Sequence, residues 1–118
     1  HAIAGLSMGG YHSLHISKEY PDMFDYVGLF SAAIIPNEKV DSPIYKNLEE
    51  KLAKQFAKAP KLYWIAIGKT DFLFEANKEY RALLDQHKYP YIYRESEGGH
   101  IWRNWRIYLS EFAPMLFQ

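Results

Sequence analysis

The 118-residue chain has no cysteine. It can therefore form neither a disulfide bond nor a thiolate metal site. Cysteine usage then does not distinguish an oxidising from a reducing compartment. It also lacks an excess of charge, because lysine plus arginine and aspartate plus glutamate number 14 each. Without a basic stripe to hold phosphates, nucleic acid is not an expected partner. No run of 18 apolar residues occurs in the sequence, which predicts no transmembrane helix and no membrane partner.

The most informative stretch is GLSMGG, residues 5–10, which reads as G-x-S-x-G. This pattern is typical of a nucleophile elbow, in which a strand ends, the backbone turns sharply and a helix begins with the serine at the tip. A strained turn leaves no room for a Cβ two residues either side of Ser7, so we expect Gly5 and Gly9 to be sterically required. We expect Gly10 to let the new helix approach its neighbours. The alternative reading is a glycine-rich turn at a tight packing site.

The residue after the serine has a predicted role of its own. The backbone N–H of Met8 lies at the start of the predicted helix, where unpaired donors and the positive end of the dipole favour an oxyanion. We therefore predict the Met8 N–H as an oxyanion donor.

Strands and helices alternate along the whole chain, which predicts an α/β fold built on a parallel sheet with helices on its faces. The strand at 91–95 alternates with polar residues, so we place it near the sheet edge. In the last helix, apolar residues spaced 3, 4, 3 and 4 apart predict a core-facing stripe: Trp102, Trp105, Leu109, Phe112 and Leu116. The predicted strands are 1–6, 26–31, 62–67 and 91–95, and the helices are 8–20, 42–59, 73–87 and the one from about 102.

A serine hydroxyl needs a base within hydrogen-bond reach, and the base needs an acid to orient it. In a parallel sheet such groups lie on loops at the carboxyl ends of the strands. Asp71 follows the strand at 62–67, and His100 follows the strand at 91–95. The chain order Ser7, Asp71, His100 is the order of the α/β-hydrolase triad. We predict these three residues as the catalytic site.

Each partner of Ser7 has an alternative reading. Asp71 could cap the helix that follows it, a role that does not exclude the catalytic one. His100 could be a solvated loop histidine. Glu95 or Glu97 could replace Asp71 as the acid, although the chain would have to curl back on itself to bring either to the histidine.

The other histidines predict no second site. His12 and His15 lie inside the predicted elbow helix, and His87 ends a helix, so we expect all three to be surface or locally satisfied residues. His12 and His15 have an i, i+3 spacing, but no third ligand is indicated nearby, so no metal is expected. No glycine loop of the nucleotide-binding types is present, and no cofactor is predicted.

Three segments carry a resemblance to a known family: GLSMGGYHSLHISKEYPDMFDYVGLFSA from residue 5, IGKTDFLFEANKEY from residue 67, and GGHIWRNWRIYLSEFAPMLF from residue 98. Together they resemble the esterase D-like branch of the α/β-hydrolases. That branch includes the carbohydrate esterase family of feruloyl and acetyl-xylan esterases, the S-formylglutathione hydrolases and the mycolyltransferases. The resemblance implies Ser7 as nucleophile, Asp71 as acid, His100 as base and the Met8 N–H as one oxyanion donor, with no cofactor.

The resemblance also implies that more polypeptide belongs to the fold. Several strands normally precede the elbow in this branch, and the second oxyanion donor comes from a loop after one of them. We therefore expect residues 1–118 to form a single partial domain, the C-terminal half of an α/β-hydrolase. Because the strand at 1–6 would then be an exposed apolar edge, we expect self-association through it.

The predicted function is that of a serine carboxylesterase. The resemblance implies a feruloyl or acetyl ester on a plant polysaccharide as substrate, and a secreted or periplasmic location. Two alternatives stay open: an acyl-transferase or thioesterase with the same triad, and a catalytically dead carbohydrate-binding or scaffold fragment.

Overall fold

The computed structural model describes residues 1–33, 48–58 and 60–116. Its four strands form one sheet in which sequence order and spatial order agree, and every neighbouring pair is parallel. This arrangement confirms the predicted parallel α/β architecture. The strands are β1 (Ala2–Leu6), β2 (Tyr26–Phe30), β3 (Leu62–Gly68) and β4 (Ile92–Ser96).

Helices follow each strand, as the alternation predicts. The helices are α1 (Met8–Glu19), α2 (Leu48–Ala57), α3 (Phe74–Gln86) and α4 (Trp102–Phe112), with a 3₁₀ turn over Ala113–Met115 after α4. The predicted start of the second helix at Ser42 lies outside the described residues, as does most of the predicted loop at 32–41. Observed and predicted ends otherwise agree to within about two residues, the usual uncertainty of such boundaries.

Two hydrophobic clusters cover the two faces of the sheet. On one face, α1, α2 and α3 contribute Leu14, Leu52 and Tyr80. On the other face, α4 contributes Tyr108 and Phe112. Strands β2 and β3 are buried along their whole length because helices cover both sides of each. Their continuous apolar runs are the sequence signature of this environment.

The predicted apolar stripe of α4 is partly wrong. Trp102 is 68% exposed and Leu109 is 56% exposed, whereas the buried residues of the helix are Asn104, Tyr108 and Phe112. The helix is rotated about its axis because two polar side chains find partners inside: Asn104 Nδ2 donates to Gly99 O, and the Tyr108 hydroxyl bonds the Ser96 hydroxyl. Apolar periodicity treats such residues as outward-facing.

Within the described residues the sheet has β1 at one edge and β4 at the other. The predicted edge position of the fourth strand is therefore confirmed. Within the described residues β1 has one strand neighbour, β2, and Ala4 in its centre is exposed. In the same part of the chain, every helix is too short or too polar to traverse a bilayer.

Candidate active site

Ser7 occupies the turn between β1 and α1 in an unusual backbone conformation. Its φ is +51° and its ψ is −115°, a region that L-residues rarely adopt. Strain of this kind costs on the order of 1–3 kcal/mol and persists only where the surroundings impose it. Here the Ser7 N–H donates to Phe30 O at 2.9 Å, and the Ser7 carbonyl accepts the Ala33 N–H at 3.0 Å. The turn is thus held from both sides, by the last residue of β2 and by Ala33 just beyond it.

The glycines of the elbow differ in what they do. A Cβ on Gly5 would lie 2.3 Å from the carbonyl carbon of Gly9, and a Cβ on Gly10 would lie 2.6 Å from the Cβ of Ala32. Both positions therefore need glycine for close approach. Gly9 does not, because a Cβ there would meet nothing within 4 Å. The expected steric requirement at Gly9 is wrong: the backbone of Gly9, not its missing side chain, fills the space above Gly5.

The structure brings the three predicted site residues into one hydrogen-bonded chain. His100 Nε2 lies 3.0 Å from Ser7 Oγ, and His100 Nδ1 lies 2.8 Å from Asp71 Oδ2. Because a carboxylate can only accept, Nδ1 carries the proton and Nε2 is the acceptor for the serine hydroxyl. This is the tautomer in which an imidazole can take a proton from Ser7.

Asp71 holds two positions at once. Its Oδ1 accepts the Leu73 N–H at 2.9 Å, while Oδ2 accepts from His100. The side chain is buried, so water does not compete for either hydrogen bond. The expected N-cap role of Asp71 is wrong, because the residue at the N-cap of α3 is Leu73 and Asp71 instead bonds the Leu73 N–H in the turn before the helix.

The alternative acids have other partners. Glu95 accepts from the Tyr93 hydroxyl, and Glu97 pairs with Lys69 at 2.9 Å. Neither makes a hydrogen bond to His100 in the described part of the chain. Asp71 is the carboxylate that the fold places on the imidazole.

The three other histidines considered above lie elsewhere. His12 is exposed on α1, and His87 is exposed at the end of α3. His15 is buried on α1 against Tyr11, and burial, aided by the Lys18 cation, lowers its pKa from 6.5 to about 4. Among residues 1–33, 48–58 and 60–116, no three His, Asp or Glu side chains are grouped so as to hold a metal ion.

Backbone contacts align the loops that carry Asp71 and His100. The Lys69 N–H donates to Ser96 O at 2.8 Å, and the Thr70 N–H donates to Gly98 O at 3.1 Å. These two bonds continue the β3–β4 pairing past the ends of the strands. The acid and the base therefore leave the sheet side by side.

An aromatic row that the sequence analysis did not identify flanks the imidazole. Phe72 and Trp105 pack against His100 with ring centroids 5.1 and 4.9 Å away, and Trp102 packs on Trp105 at 5.1 Å. Phe72 is 78% exposed and Trp102 is 68% exposed, so both ends of the aromatic row face solvent. The signal in the sequence is position: Phe72 directly follows Asp71, and Trp102 and Trp105 lie within five residues of His100.

The Met8 N–H lies where an oxyanion donor is expected. Met8 is the first residue of α1, and its N–H forms no backbone hydrogen bond within the described residues. It is thus an unpaired donor at the positive end of a helix, one residue from Ser7.

Comparison with known proteins places this geometry in a family. The family model named Esterase, described as "Putative esterase", matches residues 1–116. The chain belongs to the Esterase family. An acetyl esterase from Caldicellulosiruptor saccharolyticus is 29% identical over 136 aligned residues, which cover 92% of this chain and 51% of that protein.

Solved structures agree on the fold. A ferulic acid esterase matches with a TM-score of 0.71 at 29% identity over 93% of this chain and 48% of its own. The S-formylglutathione hydrolase of Staphylococcus aureus matches with a TM-score of 0.73 at 25% identity, covering 97% and 50% of the two chains. A fluorophosphonate-binding serine hydrolase of the same organism matches with a TM-score of 0.80 at 22% identity, covering 99% and 54%.

These matches, together with the parallel sheet and its helices, show that the fold is that of an α/β-hydrolase, as the resemblance implied. The chain spans about half the length of the proteins it matches.

Proposed function

We propose that this chain carries the catalytic triad of a serine esterase that hydrolyses carboxylic esters. The observation that carries the proposal is the continuous hydrogen-bonded chain from Ser7 through His100 to Asp71, with heavy-atom distances of 3.0 and 2.8 Å. Membership in the Esterase family supports the same reaction class.

The proposed reaction follows the geometry of the chain. Ser7 Oγ attacks the ester carbonyl carbon while its proton passes to His100 Nε2. Asp71 keeps the imidazole in its tautomer and stabilises the imidazolium. The tetrahedral intermediate collapses as His100 gives that proton to the leaving alcohol. Water then attacks the acyl-enzyme with His100 as base, and the acid leaves with Ser7 regenerated.

Charge on the carbonyl oxygen needs donors that are already in place. The Met8 N–H provides one, at the first turn of α1. Removal of one such donor lowers kcat by roughly 10²- to 10³-fold in other hydrolases. The family resemblance implies a second donor on a loop other than the elbow, and we propose that the full rate needs both donors.

For the substrate we propose an acetyl or feruloyl ester on a plant polysaccharide. Two similar proteins are an acetyl esterase and a ferulic acid esterase. The exposed rings of Phe72 and Trp102 add a surface beside His100 on which a sugar or a phenolic ring can stack.

A second candidate is thioester hydrolysis or acyl transfer by the same triad. The similarity to an S-formylglutathione hydrolase favours it, because that protein's name denotes a thioester substrate. Product analysis separates the three activities: a free acid from an oxygen ester, a free acid from a thioester, or a new ester when an alcohol acceptor is added.

The deciding experiment is fluorophosphonate labelling followed by mass mapping. We expect the label on Ser7 in the wild type, none in Ser7→Ala, and a loss of at least about 10³-fold in labelling rate in His100→Ala. His12→Ala is the matched control, because His12 is exposed on α1 and lies outside the triad. A wild type that takes no label, or one labelled on another residue, contradicts the proposal and favours the scaffold alternative.

A further inference from the structure

Phe30, the last residue of β2, and the three residues that follow it, up to Ala33, form an exit segment that bonds the Ser7 turn, β3, α3 and α4. Phe30 O and the Ala33 N–H hold the backbone of Ser7 at 2.9 and 3.0 Å. Ala32 O accepts from the buried Asn77 of α3 at 3.0 Å. The position of Ser7 is therefore fixed by this segment as well as by β1.

Ser31, in the middle of the exit segment, is held in a conformation that a serine seldom adopts. Its φ is +47°, it is fully buried, and its N–H donates to Ala66 O of β3 at 2.8 Å. Glycine would adopt this backbone without strain. A strained non-glycine residue beside an active site is a reason to ask what its side chain does.

In the part of the chain that the structure describes, the Ser31 side chain receives one hydrogen bond, from the helix that follows His100. Trp105 Nε1 donates to Ser31 Oγ at 3.1 Å. The same indole packs against the His100 ring with centroids 4.9 Å apart and planes at 85°. One side of the Trp105 ring system is thus tied to the segment that holds Ser7, and another touches the base.

We propose that Ser31 and Trp105 are positioning residues that hold the His100 imidazole in the correct orientation relative to Ser7. The hydrogen bonds to Ser7 and Asp71 lie in the imidazole plane and leave the ring free to tilt about the line that joins them. Packing against Trp105 stops that tilt, and the bond to Ser31 stops Trp105 itself from shifting. This proposal rests on the proposed triad function.

The first test does not depend on turnover. In proton NMR, the His100 Nδ1–H donated to Asp71 gives a low-field signal, assigned by its loss in His100→Ala. In Trp105→Phe, which keeps a ring but lacks the donor, and in Ser31→Ala, we expect this signal to broaden because the freed imidazole exchanges its proton faster. Ser110→Ala is the control, since it removes another hydroxyl bond of α4, to Ile107 O, away from the site.

Ser31→Gly separates the hydrogen bond from the backbone strain. Glycine relieves the positive φ but supplies no acceptor, so we expect Ser31→Gly to behave as Ser31→Ala in the NMR signal. If Ser31→Gly keeps the wild-type signal, or if Trp105→Phe leaves the signal unchanged, the proposal is overturned.

Kinetics on an activated ester give the second test. We expect each single variant to lower kcat by about 10-fold with KM unchanged, because the base is misplaced while the binding surface remains. The double variant Ser31→Ala/Trp105→Phe should lose no more than the larger single loss, since both remove one shared bond. Losses that multiply overturn the proposal. A wild type without esterase activity refutes the proposed function instead, and the NMR series still decides the positioning role.

Discussion

Gly68 and Gly98 lie so close together that a Cβ on Gly68 would be 2.2 Å from the Gly98 carbonyl oxygen. Gly68 is the last residue of β3, and Gly98 lies in the loop that leads to His100. Their contact brings together the two chain segments that carry the acid and the base.

Replacement of Gly68 by alanine should therefore disturb both stability and the site. We expect Gly68→Ala to lower the free energy of unfolding by about 1–3 kcal/mol, the usual range for overpacking, and to slow fluorophosphonate labelling of Ser7. Gly99→Ala is the control for stability, because its nearest non-local contact would be 3.4 Å away. Urea denaturation measures the difference. Equal stability of the two variants would contradict this account of the contact.

The elbow glycines offer a matched pair. Gly5→Ala should prevent a native elbow, because its Cβ would lie 2.3 Å from the Gly9 backbone. Gly9→Ala should stabilise the protein by up to about 1 kcal/mol, because alanine favours the helix and meets nothing there. Thermal unfolding of both variants tests the pair. A destabilised Gly9→Ala would restore the steric requirement that the structure removes.

The two roles of Asp71 can be separated by Asp71→Asn. An amide oxygen can still accept a hydrogen bond from the Leu73 N–H, so we expect the unfolding temperature to be unchanged. The amide no longer stabilises the imidazolium, so kcat should fall by about 10⁴-fold. Asp85→Asn is the control, because Asp85 is exposed on α3 and bonds the Tyr91 hydroxyl. A stable Asp71→Asn protein with wild-type kcat would remove Asp71 from the triad.

His15 should make the folded state sensitive to acid. Its pKa is lowered from 6.5 to about 4 by burial and by Lys18. Below pH 6.5 the unfolded chain binds a proton at this residue that the folded chain binds only near pH 4. The His15 contribution is thus present above pH 6.5 and lost as the pH falls toward 4.

Urea denaturation at several pH values between 7 and 4 measures this dependence. We expect the acid loss of stability to be smaller in His15→Gln than in the wild type and unchanged in His12→Gln, whose histidine is exposed on the same helix. Parallel pH curves for wild type and His15→Gln would show that other groups carry the acid sensitivity.

Strand β1 should mediate self-association of the 118-residue chain. Within the described residues it pairs on one edge only, and Ala4 is exposed at its centre. Lysine on an edge strand opposes pairing with another copy, so Ala4→Lys should shift the chain toward monomer in light scattering at high concentration. A wild type that stays monomeric under those conditions would leave no association for the variant to prevent.

Local rules carried much of the sequence analysis. The fully buried β2 and β3 were predicted from continuous apolar runs, and the elbow was predicted from a five-residue motif, because both depend on neighbours in the chain. The rotation of α4 was not predicted. Tyr108 and Asn104 face inward because Ser96 and Gly99 O are there to bond them, and periodicity contains no information on such partners.

The amino-acid sequence by itself determined the strained serine turn, the alternation of strands and helices, and the order of the three site residues along the chain. These follow from backbone sterics and from the period of apolar residues. The sequence predicted His100 as the partner of Ser7, and the tertiary structure decided the geometry, with His100 Nε2 3.0 Å from the Oγ of a serine 93 positions earlier. It also decided that Trp105 packs against His100 and donates a hydrogen bond to Ser31. The physical reason is the parallel register, which ends the strands at one edge by pairing Leu6 with Phe30, Phe30 with Ala66 and Ile67 with Glu95.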